Sequence, residues 1–251
     1  MQVRTLMLSA CLLTGLTAVN LSASPIFGVF SIGGNVTVTD DTIDWSNTNF
    51  PFTPQQANIG SNVSGSFSSL AGTTVTIADL NSSIQPVGTT YGPDFFISFN
   101  ADPTIPDLFS DFIFPGIFPS SGCAASPAAV GQICTPGPPP PSGSPFSFVN
   151  VNGDAAIPIE STATWQIAGV TGDGGTFIAN FSASFNAPFQ TVLAELGPGG
   201  TGSVTDQYDG VITVTPAATT PEPDSGYMLA SGLALVLLSL ASRRLFRRHQ
   251  Q

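Results

Sequence analysis

Between Ser24 and Thr220 the chain contains no lysine, arginine or histidine. The five basic residues are Arg4, Arg243, Arg244, Arg247 and Arg248, and the single histidine is His249. The middle stretch carries 14 of the 16 carboxylates. Internal salt bridges therefore cannot form there, and any fold must rest on apolar burial and hydrogen bonds. The same absence removes whole classes of chemistry. Ser-His-Asp and Cys-His arrangements, a lysine Schiff base and histidine-ligated zinc are all excluded. Phosphate clamps need Arg, Lys or a glycine-rich loop opening a helix, and no such loop is present. Nucleic acid is no partner for a stretch that cannot neutralise phosphate.

Charged residues make up only 8% of the chain, against about 25% in a typical soluble domain. The 26 Gly and 22 Pro stay below the share of roughly 25–30% that marks low-complexity disorder. A turn-rich but folded domain is expected over 24–220. Its pattern is all-β. Period-2 or β-branched runs recur at Asn35–Thr39, Gly72–Leu80, Asp94–Asn100, Leu108–Phe114, Pro145–Val151, Ser161–Val170, Thr176–Asn186, Phe189–Glu195 and Gly210–Thr215. Thr171–Gly175 reads as a hairpin loop between two long strands. About ten strands at this spacing predict an antiparallel β-sandwich or jelly roll. Of the 19 phenylalanines, Phe177, Phe181 and Phe185 share one strand face and read as core, as do Phe112 and Phe114.

The stretch 114–145 is irregular and proline-rich, and it holds Cys123 and Cys134. In an oxidising compartment these two should be disulfide-bonded. The segment is expected to be a stapled surface excursion; a linker between two domains and a recognition loop are the other readings. Carboxylates remain as the only charged groups. Asp40, Asp41 and Asp44 are the candidate ligands for calcium, which takes oxygen donors alone, although their spacing does not match a twelve-residue calcium loop. A carboxylate-only glycosidase is formally open, but sugar platforms are scarce, with only two Trp and three Tyr in the chain.

The two ends read as an address. Residues 1–23 have the form of a secretory signal peptide, with Arg4 in the n-region, an uncharged Thr5–Val19 core and a cleavage position after Ala23. Leu8-Ser9-Ala10-Cys11 also matches a lipoprotein box, but the apolar run continues past Cys11. At the other end 226–242 is an uncharged run of a length at the short limit for a transmembrane helix. Arg243, Arg244, Arg247 and Arg248 follow it and predict a cytoplasmic C-terminus. Immediately before the run stand Pro221, Glu222 and Pro223. Pro-Glu-Pro, an apolar span and an arginine cluster in this order resemble the PEP-CTERM sorting signal. The resemblance covers 220–251, an eighth of the chain, and departs from the family's common first residue at Thr220. It implies an exported protein of a polysaccharide-producing Gram-negative bacterium, processed by an exosortase, found in the cell envelope or outside it. Before processing, the tail would hold it in the inner membrane.

Together these features predict a non-enzymatic surface or matrix protein with structural or interaction roles. A calcium- or carbohydrate-binding module is the alternative, and extracellular polysaccharide is the partner to test. The intact mass of the native protein checks the address directly. It should begin at Ser24, end near 220–223, and rise by two hydrogens on reduction; an intact arginine tail would instead mean a permanently anchored ectodomain.

Overall fold

In the computed structural model, the described residues are 25–48, 53–137, 143–152, 158–197, 200 and 202–218. Twelve strands alternate buried and exposed side chains along most of their length. They are β1 (Gly28–Val38), β2 (Thr42–Ser46), β3 (Gln56–Val63), β4 (Thr74–Ile77), β5 (Leu80–Asn81) and β6 (Asp94–Phe99). The later ones are β7 (Leu108–Ile113), β8 (Ile133–Cys134), β9 (Ser147–Val151), β10 (Glu160–Thr171), β11 (Thr176–Phe185) and β12 (Val204–Thr215). Eight of them close on themselves in the order β11–β12–β1–β3–β4–β6–β7–β10, with β10 pairing back to β11. All of these pairings are antiparallel. The fold is all-β as the pattern predicts, but it is a closed barrel and not a sandwich or jelly roll. Period-2 alternation says that one face of each strand is buried. It does not say whether the outermost strands meet.

The interior is packed, not hollow. Phe30, Phe67 and Phe99 pack together with centroids 4.7–5.4 Å apart. Phe96 stacks on Phe177 at 6.0 Å. Trp45, Trp165, Phe181 and Tyr208 form a second aromatic group, with centroids 4.7–6.1 Å apart. Three inward rings lie across from a glycine on the neighbouring strand: Phe177 from Gly169, Phe181 from Gly210, and Tyr208 from Gly34. A Cβ at Gly210 would stand 2.7 Å from the Phe181 ring, and one at Gly169 2.7 Å from that of Phe177. At Gly210 the ring itself occupies the space a side chain would need, while at Gly169 and Gly34 a Cβ would also strike the Phe109 and Ser46 carbonyls, at 2.0 and 2.2 Å.

Two long strands change partner halfway. β1 pairs with β3 through Phe30–Gly33 and with β2 through Asn35–Val38. β10 pairs with β9 through Glu160–Thr164 and with β7 through Ile167–Thr171. At one end, then, the wall divides into two short flaps, β2–β5 and β9–β8. The excursion sits beside the second flap. Cys123 and Cys134 are bonded, with Cα atoms 4.9 Å apart. Buried Asn150 accepts the Phe189 N–H at 2.9 Å and donates to Gln190 at 3.0 Å, and Gln190 donates to Gln132 at 2.6 Å and to the Ala125 carbonyl at 3.1 Å. These amides fasten the excursion to the barrel; it does not bridge two bodies, and the described residues up to Pro216 belong to one compact unit. Among the described residues every barrel pairing and every core residue lies between Ile26 and Thr215, so this stretch supplies the contacts of the barrel.

Two further expectations are corrected. Phe189–Glu195, expected as a strand, lies in helix α1 (Phe189–Leu196), which buries Phe189 and Val192. A short apolar run is ambiguous between strand and helix, and here the i, i+3 spacing prevails, between Pro188 and Gly197. Phe112 and Phe114 are not core. A register shift in the β7–β10 pairing turns Phe112 outward, and the two rings meet edge to face at 4.8 Å. Among the described residues no helix is long and apolar enough to cross a membrane. The expected signal peptide 1–23, Pro221–Glu222–Pro223, the expected span 226–242 and the four C-terminal arginines lie outside the described residues.

The ring-over-glycine pairing predicts that Gly210→Ala destabilises the barrel by about 1–3 kcal/mol through overpacking. Combining it with Phe181→Leu should cost less than the sum of the two single changes. Denaturant unfolding measures both, and an additive double variant would refute the contact.

Candidate functional site

The divided end of the barrel forms a mouth. Between the two flaps lies a cleft of about 820 Å3. Its floor is Val38 at the end of β1, Phe146 and Phe148 at β9, and Leu193 and Leu196 of α1. Cys123, Pro136 and Pro145 wall it on the excursion side, and Asp40, Asp41 and Ser82 line the opposite rim. Beneath it is a narrow hollow of about 20 Å3, lined by Val36, Ala163, Trp165, Ala183, Phe185 and Val192 among others. The two share Val38, Phe146, Phe148 and Leu196 as walls. Helix α1 lies against β9, β10 and β12, which places Leu193 and Leu196 over the opening.

The predicted acidic trio is only partly brought together. Asp40 and Asp41 stand exposed in the β1–β2 turn, on the rim of the cleft. Asp44 lies on the outer face of β2, with Asp79 as its charged neighbour. Burial, and then the Asp79 charge, raise the Asp44 carboxyl above the ordinary carboxylate range, against a hydrogen bond from Thr42. Among the described residues no group of three or more His, Cys, Asp or Glu is placed to hold a metal ion.

Several carboxylates serve the local backbone instead. Asp79 accepts the Trp45 N–H at 2.9 Å. Asp173, in the β10–β11 hairpin, accepts the Ile26 N–H at 2.8 Å and the Thr171 hydroxyl. Burial alone would raise Asp173, but these bonds and that from the Gly175 N–H leave it below its ordinary value. Asp102 is also lowered, by the Thr104 hydroxyl and N–H. The two described phenols, Tyr91 and Tyr208, are both shifted upward. Burial pushes Tyr91 up to about 12 and, with Asp209 beside it, pushes Tyr208 higher still. In the inner aromatic group the Trp45 and Trp165 indole N–H groups and the Tyr208 hydroxyl are buried without a hydrogen-bond partner.

The outer wall of the barrel is a second feature. Phe95 stands across from Phe109, and Phe109 across from Val170. Phe112 begins a row that runs through Ala168, Ile178 and Thr213 to Val29. A parallel row holds Gln166, Asn180, Val211 and Ser31, with Gln166 donating to Asn180 at 2.7 Å. Neither row carries a charge, and Ile178 and Val211 remain 43% and 39% exposed.

The sequence reading missed the residues that build the mouth. Phe146, Phe148, Leu193, Leu196 and Trp165 carry no motif; they converge only because β1 and β10 change partners. Architecture and site define a closed antiparallel barrel with an apolar, acid-rimmed mouth. No family model, no curated protein and no solved structure matches the chain.

The lowered Asp173 stabilises the fold above the unfolded carboxylate value of about 3.9 and loses that contribution as pH falls through its folded value. The raised Asp44 acts oppositely: its burdened charge is relieved as pH falls. Calorimetry should therefore show a Tm at pH 4.5 no lower than at pH 7, then a fall below about pH 3.9. Asp173→Asn should lower Tm at pH 7 and shrink the acid fall. A clear loss between pH 7 and 4.5 would contradict this balance.

Proposed function

We propose that this chain is an exported, non-enzymatic protein of the cell surface or extracellular matrix, sorted through its PEP-CTERM-like tail and processed by an exosortase. In this reading the barrel is an interaction module for neutral extracellular polysaccharide. The observation that carries the proposal is the pair of uncharged rows on the outer wall, bounded on one side by Asp209. Its phenylalanine rings suit the CH faces of sugar rings, and the neighbouring hydroxyl and amide groups suit sugar hydroxyls. The closed barrel also favours binding by a face, since closure removes long free strand edges from which chains could add to one another. With no cation in the exported stretch, an acidic polysaccharide would be repelled, which points to a neutral one.

Co-sedimentation of the 24–220 domain with the producing cell's own polysaccharide tests this, beside a uronic-acid polymer as the charged control. Retention is expected on the neutral polymer only. Phe109→Ser with Phe112→Ser should weaken it roughly tenfold, the equivalent of about 1.4 kcal/mol. Indifference to every envelope and matrix fraction would defeat the proposal.

A further inference from the structure

We propose that the barrel mouth binds a single hydrocarbon chain whose head group is not anionic, as in a neutral or cationic amphiphile. The site is distinct from the outer wall and does not depend on that wall's role.

The shape sets the first condition. The outer cleft, about 820 Å3, falls within the range of roughly 300–1,000 Å3 that small-molecule sites occupy. It shares Val38, Phe146, Phe148 and Leu196 with the hollow of about 20 Å3, which has room for about one water-sized group. A slender chain end fits a hollow of that size once the shared side chains part, and a ring does not.

The chemistry of the walls sets the second. The side chains of the hollow are apolar except for the Trp165 indole, whose N–H has no partner. Trp165 is only 4% exposed. A held water needs two to four polar partners, and a single donor does not supply them. The hollow is therefore dry and accepts methylene or methyl groups without displacing bound water. Phe146, Phe148 and Leu196 continue the apolar path into the cleft.

Charge sets the third. Asp40 and Asp41 stand on the rim, and the exported stretch has no cation to hold a carboxylate, phosphate or sulfate head. An anionic head would meet two like charges with no compensation. A sugar or ammonium head would not.

The protein's two tryptophans, Trp45 and Trp165, are in contact in this group at 6.0 Å, so intrinsic fluorescence reports occupancy. The 24–220 domain is titrated below the micelle concentration with dodecyl maltoside, dodecyltrimethylammonium and dodecanoate. Saturable fluorescence changes are expected with the first two, and binding of dodecanoate at least tenfold weaker. Leu196→Glu, at a partly exposed helix position, should weaken maltoside binding tenfold or more; Leu193→Glu serves the same purpose if the first variant misfolds by circular dichroism. Asp40→Asn with Asp41→Asn should narrow the gap between dodecanoate and the maltoside. The proposal is overturned if no amphiphile binds, if dodecanoate binds as well as the others, or if folded Leu196→Glu and Leu193→Glu variants bind unchanged.

Discussion

The packing of aromatic rings over cross-strand glycines is the contact on which the rest of the barrel depends. An eight-stranded barrel encloses an interior just wide enough for side chains to fill. Large residues opposite large residues would overfill it. Setting Phe177, Phe181 and Tyr208 across from Gly169, Gly210 and Gly34 lets three adjacent strand pairs each contribute a full ring. Phe181 then reaches Trp45, Trp165 and Tyr208 at once. The aromatic group at the mouth end is thus an outcome of where glycine allows a close approach.

The missing cations shape everything outside that core. Where other domains use ion pairs, this one uses amides and backbone donors. Asn150, Gln132 and Gln190 tie the excursion to α1 and β9. Gln85 donates to Asp94 at 2.7 Å, and Asp79 and Asp173 each take up a backbone N–H. Hydrogen bonds of this kind, made without paired opposite charges, are individually modest, so the net stability rests on burial. The disulfide adds a covalent tie at the cleft wall, where Cys123 lines the opening.

The mouth and the outer wall follow from one topological event. β1 and β10 are long enough to serve two neighbours in turn. Their first partners close the barrel, and their second partners open it into flaps. The continuous outer rows need the same long strands, because Ala168, Ile178, Thr213 and Val29 align only where β10, β11, β12 and β1 run side by side. An apolar mouth and two uncharged rows on the wall are compatible with a protein that acts by contact.

Much of this was legible in the residues alone. The lack of Lys, Arg and His between Ser24 and Thr220 dictated an unpaired acidic domain, and the alternation in Val36-Thr37-Val38 and across Thr176–Phe185 declared strands with one buried face. The Cys123–Cys134 pairing and the hairpin at 171–175 were equally readable, because both are local. What lay beyond reach was non-local. β3, with Gly60 and two asparagines, has little strand propensity and forms because β1 and β4 pair with it. A register shift in β7 reversed the facing of Phe112, and helix α1 formed where an apolar run alone suggested a strand. Closure of the barrel, and with it the convergence of Phe146, Leu196 and Trp165 on one cleft, was decided only by the tertiary structure. Alternation specifies which face of a strand is buried, while the choice of neighbour belongs to the whole chain.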